Sequence, residues 1–562
     1  MNRINSQFFW LAGLICILLI PNILLVFFGI DSMVISPLKK IVYLIISTAF
    51  FLIPLLFFRP KLYSFFSIFL VVFLVFETFI VINYKTPSTS EIVSTVFYTN
   101  YEESKEFFLS HLSLGLFGFI FLAVIFFIYK KLKRSFRLSN TIKKAIVLLV
   151  MIVFGGLFIR DLMFSKSKNK DFSGKEHLLF SLDMMDTKFR KVFPVSFIYN
   201  AIGVKSGLQK MRNYKENTQN IFYNAVKRDT VNQPEIYVLV IGETARKHNF
   251  HLYGYARETT PRLDSIESLI PFTDVTASAN LTALSIPIML TEVLPSEFDH
   301  IYENVPVNKV FEEAGFKTYW LTNQPSGING QVGIYARTNN VYKNVAVSVD
   351  AAQYDDILLK ELDMILNDDT SDKKFIVIHT LGSHFRYSFR YPVEFEKFKP
   401  SAGRKLSLNE NNISKKEEII NAYDNSILYT DFILSEMIKR VDSENKVSYM
   451  YYISDHGENL FDDDNGFFMH GLSNPTKYEI EIPLLVWYSD EYKELYPSKV
   501  ENMWLHKDKK ISGTYTFNVL LDMADIYYPS EEISKSFTNG FFKEDIYREI
   551  YTPTNQTVKL YD

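Results

Sequence analysis

The sequence predicts two unlike parts in one chain. An α-helical membrane domain of five spans is expected over residues 1–162, and an α/β domain with a doubly wound sheet over residues 234–562, joined by a polar linker at 163–233. Three observations carry this expectation. Long apolar runs crowd before residue 163, strand-like runs alternate with helix-like ones after residue 234, and the stretch between is rich in Lys and Ser.

The apolar runs are "FFWLAGLICILLIPNILLVFFG", "IVYLIISTAFFLIPLLFF", "FFSIFLVVFLVFETFIVI", "LSLGLFGFIFLAVIFFIY" and "AIVLLVMIVFGGLFI". Each approaches the roughly 20 apolar residues that cross a bilayer core as a helix. The first is too long for a signal peptide and has no small-residue cleavage site, so it is expected to be retained. The loops "KKLKRSFRLSNTIKK" and "FRPKLY", the latter with Arg59 and Lys61, are basic and belong in the cytoplasm. The loop "NYKTPSTSEIVSTVFYTNYEESKEF" is acidic on balance and belongs outside. Five spans from a cytoplasmic N-terminus then export everything beyond about residue 163. The single cysteine, Cys16, lies in the first span, so the exported domain contains no disulfide. At about 330 residues that domain is large enough to be held by its core alone. A net charge of −3, with no basic tract outside the cytoplasmic loop, excludes nucleic acid as a partner.

In the linker, "FPVSFIYNAIGVKSGLQKM" has the amphipathic pattern of a helix lying on a membrane surface, and a solvated helix is the alternative. Beyond it the strand candidates are "EIYVLVIG", "KTYWLTN", "KFIVIHTLG", "VSYMYYISD" and "IPLLVWYS". The segment "EEIINAYDNSILYTDFILSEMIKRV" has apolar residues at helical spacing. This alternation is the βαβ pattern of a sheet covered on both faces. The acidic "DDDNG" at 462–466 lacks the spaced ligands of a calcium loop and is expected to be solvated.

Several strand candidates end in groups that bind metals or move protons. In "YVLVIGETAR" the apolar run stops at Glu243, where the carboxyl edge of an open α/β sheet holds its ligands. Taken alone, Glu243 reads more readily as the cap of a following helix than as a catalytic group. "YYISDHGENL" delivers Asp455 and His456, with Gly457 for a tight turn; "HTLGSHF" delivers His379 and His384; "MHGL" presents His470. Carboxylate oxygen and imidazole nitrogen are zinc ligands, and a catalytic zinc leaves a position open. Thr282 in "TASANLTALSIPIMLTEV" precedes an apolar helical run with Pro287 near its first turn, a place where backbone N–H groups favour an anion. A hydroxyl bound to a metal there suits attack on phosphorus, while an N-cap is the plainer role.

"VIGETAR…LYGYARETTPRL", "LTALSIPIM", "HTLGSH", "SDHGENL" and "MHG" stand in the order seen in the phosphoethanolamine transferases of Gram-negative envelopes, members of the alkaline phosphatase superfamily. The chain resembles that family over almost its whole length, and the outer loop "VSTVFYTNYEES" resembles the family's segment between spans three and four. The resemblance implies an alkaline-phosphatase-like catalytic domain in the periplasm on an inner-membrane anchor. It also implies a zinc ion held by Glu243, Thr282, Asp455 and His456, with Thr282 carrying phosphoethanolamine. His384 and His470 match two further histidines that contact the phosphoryl group or a second zinc, and are candidates for protonating a leaving alkoxide. Asn323, Gln324 and His379 stand beside them as substrate-contact candidates. Where relatives that modify lipid A have cysteines flanking the nucleophile, this chain has Ser278 and Ile288. Where they have a substrate-contacting asparagine and lysine, it has Gln324 and Ile328. "YGYARETTPRL" and "WLTNQ" look closer to the branch that modifies the heptose of the lipopolysaccharide core.

The expected reaction moves phosphoethanolamine from phosphatidylethanolamine to lipopolysaccharide, at core heptose or lipid A, through a covalent threonine intermediate in a monomeric enzyme among membrane lipids. Adding an ethanolamine cation would weaken the attraction of the surface for cationic peptides such as polymyxin. The alternatives are a glycerol-phosphate transferase using phosphatidylglycerol, a sulfatase-like hydrolase, and a membrane sensor that has lost catalysis. The sulfatase nucleophile motif would need arginine where Met289 stands, and a sensor would have lost a ligand or the nucleophile, which this chain has not.

Overall fold

The computed structural model describes residues 3–28, 37–84, 87–89, 93, 112–168, 173–229, 233–324, 330–346, 354–403, 413–462, 466–472 and 474–561. Most of the expected outer loop between spans three and four, Ile328, and residues 463–465 of the acidic loop lie outside them. The chain divides into two compact units between Ser206 and Gly207.

The first unit is helical. Lys40–Phe57 and Asn140–Ser167 are each long and apolar enough to cross a membrane. Two bent pairs, Asn5–Leu18 with Ile20–Phe27 at 57° and Pro60–Phe69 with Val71–Ile82 at 61°, reach the same standard if each is one span. Pro21 accounts for the first bend, because it has no N–H for the preceding turn. The helix Leu112–Lys131 fills the stretch expected as the fourth span. Apolar side chains such as Leu148, Met151, Ile152 and Ile159 face outward, where hydrocarbon is the compatible solvent. The linker carries the helix Gly174–Phe189, started by a Ser173 and Glu176 capping box, and the helix Val195–Thr218.

The second unit is built on a seven-stranded sheet: β1 (Glu235–Gly242), β2 (Leu269–Phe272), β3 (Lys317–Thr322), β4 (Val341–Asn344), β5 (Lys373–His379), β6 (Val447–Ser454) and β7 (Leu484–Tyr488), in the order β2-β7-β6-β1-β5-β3-β4. The five strands β6, β1, β5, β3 and β4 are parallel, and β7 runs antiparallel to both β6 and β2. Every residue of β1 is buried, which is why it reads as an unbroken apolar run. Tyr237, Leu239 and Ile241 face one core cluster with the helices Thr282–Leu290, Val307–Glu313 and Thr516–Met523. Ile236, Val238 and Val240 face another with the helices Asp356–Leu366 and Lys416–Asp442. The sheet is therefore doubly wound.

β2 and β4 did not announce themselves in the sequence. Each has four residues, and β2 contains Pro271, so neither offers the apolar run or alternation that marks a strand. The expected long helix is Lys416–Asp442, burying Ile419, Tyr423, Ile427, Leu434 and Val441. Register then sets the site: Gly242 pairs with Ser454, and His379 pairs with both Ile241 and Thr322. The residues that follow, Glu243, Asp455, Thr380 and Asn323, emerge together at one carboxyl edge.

Candidate active site

At the end of β1 the chain turns through Thr244, whose φ of 58° is unusual for a β-branched residue. The turn is held from several sides. The Thr244 N–H donates to Asp455 Oδ1 at 3.0 Å, the Tyr423 hydroxyl donates to the Thr244 carbonyl at 2.8 Å, and the Arg246 N–H donates to that hydroxyl at 3.0 Å. Gly382, at φ 50°, packs on the same place: an added Cβ would stand 2.8 Å from the Glu243 carbonyl oxygen. Glu243 is thereby fixed and buried, not used as a helix cap.

Its carboxylate meets three groups from distant parts of the chain. Thr282 Oγ1 lies 3.3 Å from both Glu243 oxygens and 3.2 Å from His456 Nε2. Gln324 Nε2 donates to Glu243 Oε2 at 3.1 Å. Glu243, Asp455 and His456 offer three ligand atoms within 4.8 Å of one another. His456 Nδ1 lies 2.9 Å from the Gly457 carbonyl, which makes Nδ1 the protonated nitrogen and leaves the Nε2 lone pair turned to the cluster. Gly457 does not lie in the left-handed region that would make it a turn residue; it is needed because a Cβ there would stand 2.1 Å from the Tyr478 carbonyl.

Thr282 is the first residue of its helix, Leu281 is the N-cap, and no side chain caps it. The capping role is thus excluded for Thr282, whose hydroxyl serves the cluster. Pro287 lies inside the helix and not in its first turn. Ser285 Oγ donates to the Asp455 carbonyl at 2.6 Å and ties this helix to the end of β6. At the positions where relatives that modify lipid A have cysteines, Ser278 is buried 3.5 Å from Ser285 and Ile288 is packed in the core.

The His470 ring packs against that of His456 at a tilt of 40°, with centroids 4.0 Å apart, and its Nδ1 lies 3.2 Å from Glu458 Oε2. The loop bearing it is pinned by Glu479, which accepts from the Gly471 and Leu472 N–H groups and from Asn280 and Asn459. Asp462, expected to be solvated, instead pairs with buried Arg246 at 2.6 Å. Arg246 also donates to the Glu458 carbonyl, so it joins the end of β1 to the His470 loop. His384 has a buried Nδ1 without a hydrogen-bond partner. His379 lies beneath the cluster, fully enclosed, with Nε2 3.9 Å from Glu243 Oε2 and neither ring nitrogen hydrogen-bonded. Asn323 donates to Asp355 at 2.9 Å, and Asp355 also accepts from the Leu381 and Gly382 N–H groups, holding the loop after β5. Thr244, Asp355, Arg246, Glu458 and Glu479 escaped the sequence reading. Of these, Thr244 and Arg246 stand within "VIGETAR" and Glu458 within "SDHGENL", so each carried a usable signal.

Burial, followed by the charge of Asp455, pushes the Glu243 carboxyl well above the ordinary carboxylate range. Burial raises Glu458 to about 8 and lowers His379 to about 4 and His384 to about 3, with Arg390 and His470 adding to the last shift. Burial also lowers His456. Two enclosed carboxylates, a neutral imidazole and a hydroxyl make an arrangement that a divalent cation would complete. Asp455 Oδ2 is buried with no hydrogen-bond partner, as an oxygen reserved for such an ion would be. The oxygen and nitrogen donor set fits zinc.

A family model described as Sulfatase matches residues 235–526. Phosphoethanolamine transferase EptC of Escherichia coli (strain K12) is 31% identical over 328 residues, which are 57% of this chain and 56% of that protein. The chain thus spans just over half the length of this curated relative. The crystal structure of the C-terminal periplasmic domain of EcEptC from Escherichia coli in complex with Zn is 30% identical, with a TM-score of 0.53 over 60% of this chain and 95% of that one. The integral membrane protein lipooligosaccharide phosphoethanolamine transferase A (EptA) from Neisseria meningitidis matches with a TM-score of 0.66 over 89% of this chain and 90% of that one. At 22% identity this last likeness shows the fold, a helical membrane region followed by an α/β domain.

Proposed function

The chain belongs to the sulfatase family, and from that premise we propose that it transfers phosphoethanolamine from phosphatidylethanolamine to lipopolysaccharide through a covalent intermediate on Thr282. The observation that carries this reading is the Thr282 hydroxyl, 3.2–3.3 Å from Glu243 and His456. Relatives named phosphoethanolamine transferase, and the zinc complex of the EptC domain, support it.

Zinc held by Glu243, Asp455, His456 and Thr282 would supply Lewis-acid stabilisation of the phosphoryl oxygens and a lowered hydroxyl pKa. Thr282 Oγ1 gives up its proton to solvent and attacks phosphorus, the bond from phosphorus to the diacylglycerol oxygen breaks, and the departing alkoxide takes a proton. His470, oriented through Nδ1 by Glu458, is the group we assign to give that proton, with His384 as the second candidate. In the second step an acceptor hydroxyl attacks phosphorus and yields its proton to the same histidine. The bond from phosphorus to Thr282 breaks, and the threonine oxygen takes a proton back from solvent, which restores the hydroxyl. The acceptor is core heptose or a lipid A phosphate, the latter attacking as an anion. Residues 1–162 anchor the enzyme in the inner membrane by several spans, 163–233 form the linker, and 234–562 are the periplasmic catalytic domain. Donor, one product and acceptor are all lipids, so the anchor confines the search to a surface.

Intact mass of the purified full-length protein after incubation with zinc and phosphatidylethanolamine tests this. The expected result is an added phosphoethanolamine mass that Thr282→Ala lacks. A glycerol-phosphate mass formed only with phosphatidylglycerol overturns the donor. Absence of any adduct, with no ethanolamine phosphate released, overturns the reaction.

A further inference from the structure

We propose that Gln324 is a positioning residue that fixes the Glu243 carboxylate for metal binding. This rests on the proposed role of Glu243 as a ligand. Gln324 spends its side-chain amide on two acceptors, donating to Glu243 Oε2 at 3.1 Å and to the Thr380 carbonyl at 2.7 Å. Its own backbone is held as firmly. The N–H donates to Thr322 Oγ1 at 3.1 Å, and the carbonyl accepts from Asn344 Nδ2 at 3.2 Å, so the neighbouring strands β3 and β4 set where the side chain begins.

The other carboxylate oxygen, Oε1, accepts from Thr244 Oγ1 at 2.7 Å. Two donors on two oxygens fix the rotation of the carboxylate plane and leave both oxygens equidistant, at 3.3 Å, from Thr282 Oγ1. Both donors are neutral. Among the described residues no Lys or Arg pairs with Glu243, and the imidazoles near it are His379 and His456, each at 3.9 Å and held toward the neutral form by burial. An amide donor orients an anion without neutralising it, whereas a cation at the same place would compete with the metal. Outer hydrogen bonds of this kind typically contribute about 10–100-fold to metal affinity. Gln324 is also almost fully buried, 6% exposed, which suits a supporting group better than a substrate contact.

The test is zinc affinity of the metal-free full-length protein, measured by competition with a chromophoric chelator, for wild type, Gln324→Met, Gln324→Leu and Glu243→Gln, with the metal-free melting midpoint of each. Methionine keeps the length and apolar stem but donates nothing. Gln324→Met is expected to weaken zinc binding by about 10-fold or more while its metal-free midpoint stays near wild type. If Glu243→Gln abolishes binding and both Gln324 variants keep wild-type affinity, the positioning role is overturned and the metal site stands. Lower metal-free midpoints with unchanged affinity overturn it in the same way, because they show a structural role only. Wild-type affinity in Glu243→Gln removes the ligand reading itself and the inference with it.

Discussion

Thr282 Oγ1 lies 3.2 Å from His456 Nε2 although 174 residues separate them in the chain. The contact exists because the helix that begins at Thr282 is tied by Ser285 to the carbonyl of Asp455, the residue before that histidine. A hydroxyl at the start of one helix is thereby presented to the ends of two parallel strands.

Replacing Thr282 with alanine removes the proposed nucleophile and keeps Glu243, Asp455 and His456. Transfer is expected to fall on the order of 10³-fold or more, with zinc still bound. Thr282→Ser keeps a hydroxyl and should retain a measurable fraction of the rate. Single-turnover assays with bound metal quantified in the same samples check both.

Glu243→Gln should abolish zinc binding and yet stabilise the metal-free protein. Glu243 has a folded pKa raised by burial and by Asp455, so its stabilising contribution is complete below the ordinary carboxylate value and lost as pH rises through the raised one. At neutral pH the metal-free wild type therefore carries a penalty that glutamine lacks. A midpoint higher by about 2 °C or more is expected near neutrality, shrinking as the pH falls toward 4. Thermal unfolding in chelator at several pH values measures this, and an equal difference at every pH would refute it.

Gly382→Ala introduces a Cβ 2.8 Å from the Glu243 carbonyl oxygen at a residue with φ 50°. Backbone has to move, at a cost of roughly 2 kcal/mol or more, and the movement displaces Glu243, the proposed ligand. Lower stability and weaker zinc affinity should appear together, unlike the separate effects expected at Gln324.

Above about pH 8, where the Glu458 carboxyl is ionised, Glu458→Gln keeps the shape beside His470 and removes the carboxylate from its Nδ1. Transfer should slow by about 10-fold or more while zinc affinity is unchanged, since no Glu458 atom belongs to the ligand cluster. Comparing adduct formation with adduct breakdown shows whether one or both half-reactions slow.

The sequence by itself determined the broad plan and the chemistry at its points. Five apolar runs marked a helical membrane region, and continuous apolar strands ending at Glu243, His379 and Asp455 marked an α/β sheet with its ligands at one edge. These features are local, because burial on both faces writes itself directly as unbroken apolar runs. Tertiary structure alone decided what those residues do to one another. Register aligned Gly242 with Ser454 and Ile241 with His379, packing brought the Thr282 helix to their edge, and the left-handed turn at Thr244 aimed the Glu243 carboxylate. Gln324 read in the sequence as a substrate contact, and its hydrogen bonds run to Glu243 and Thr380. Such partners lie tens to hundreds of residues apart, and no periodicity or composition records a hydrogen bond between them. Only folding, which satisfies each buried polar group with whatever neighbour the chain has brought near, determines that pairing.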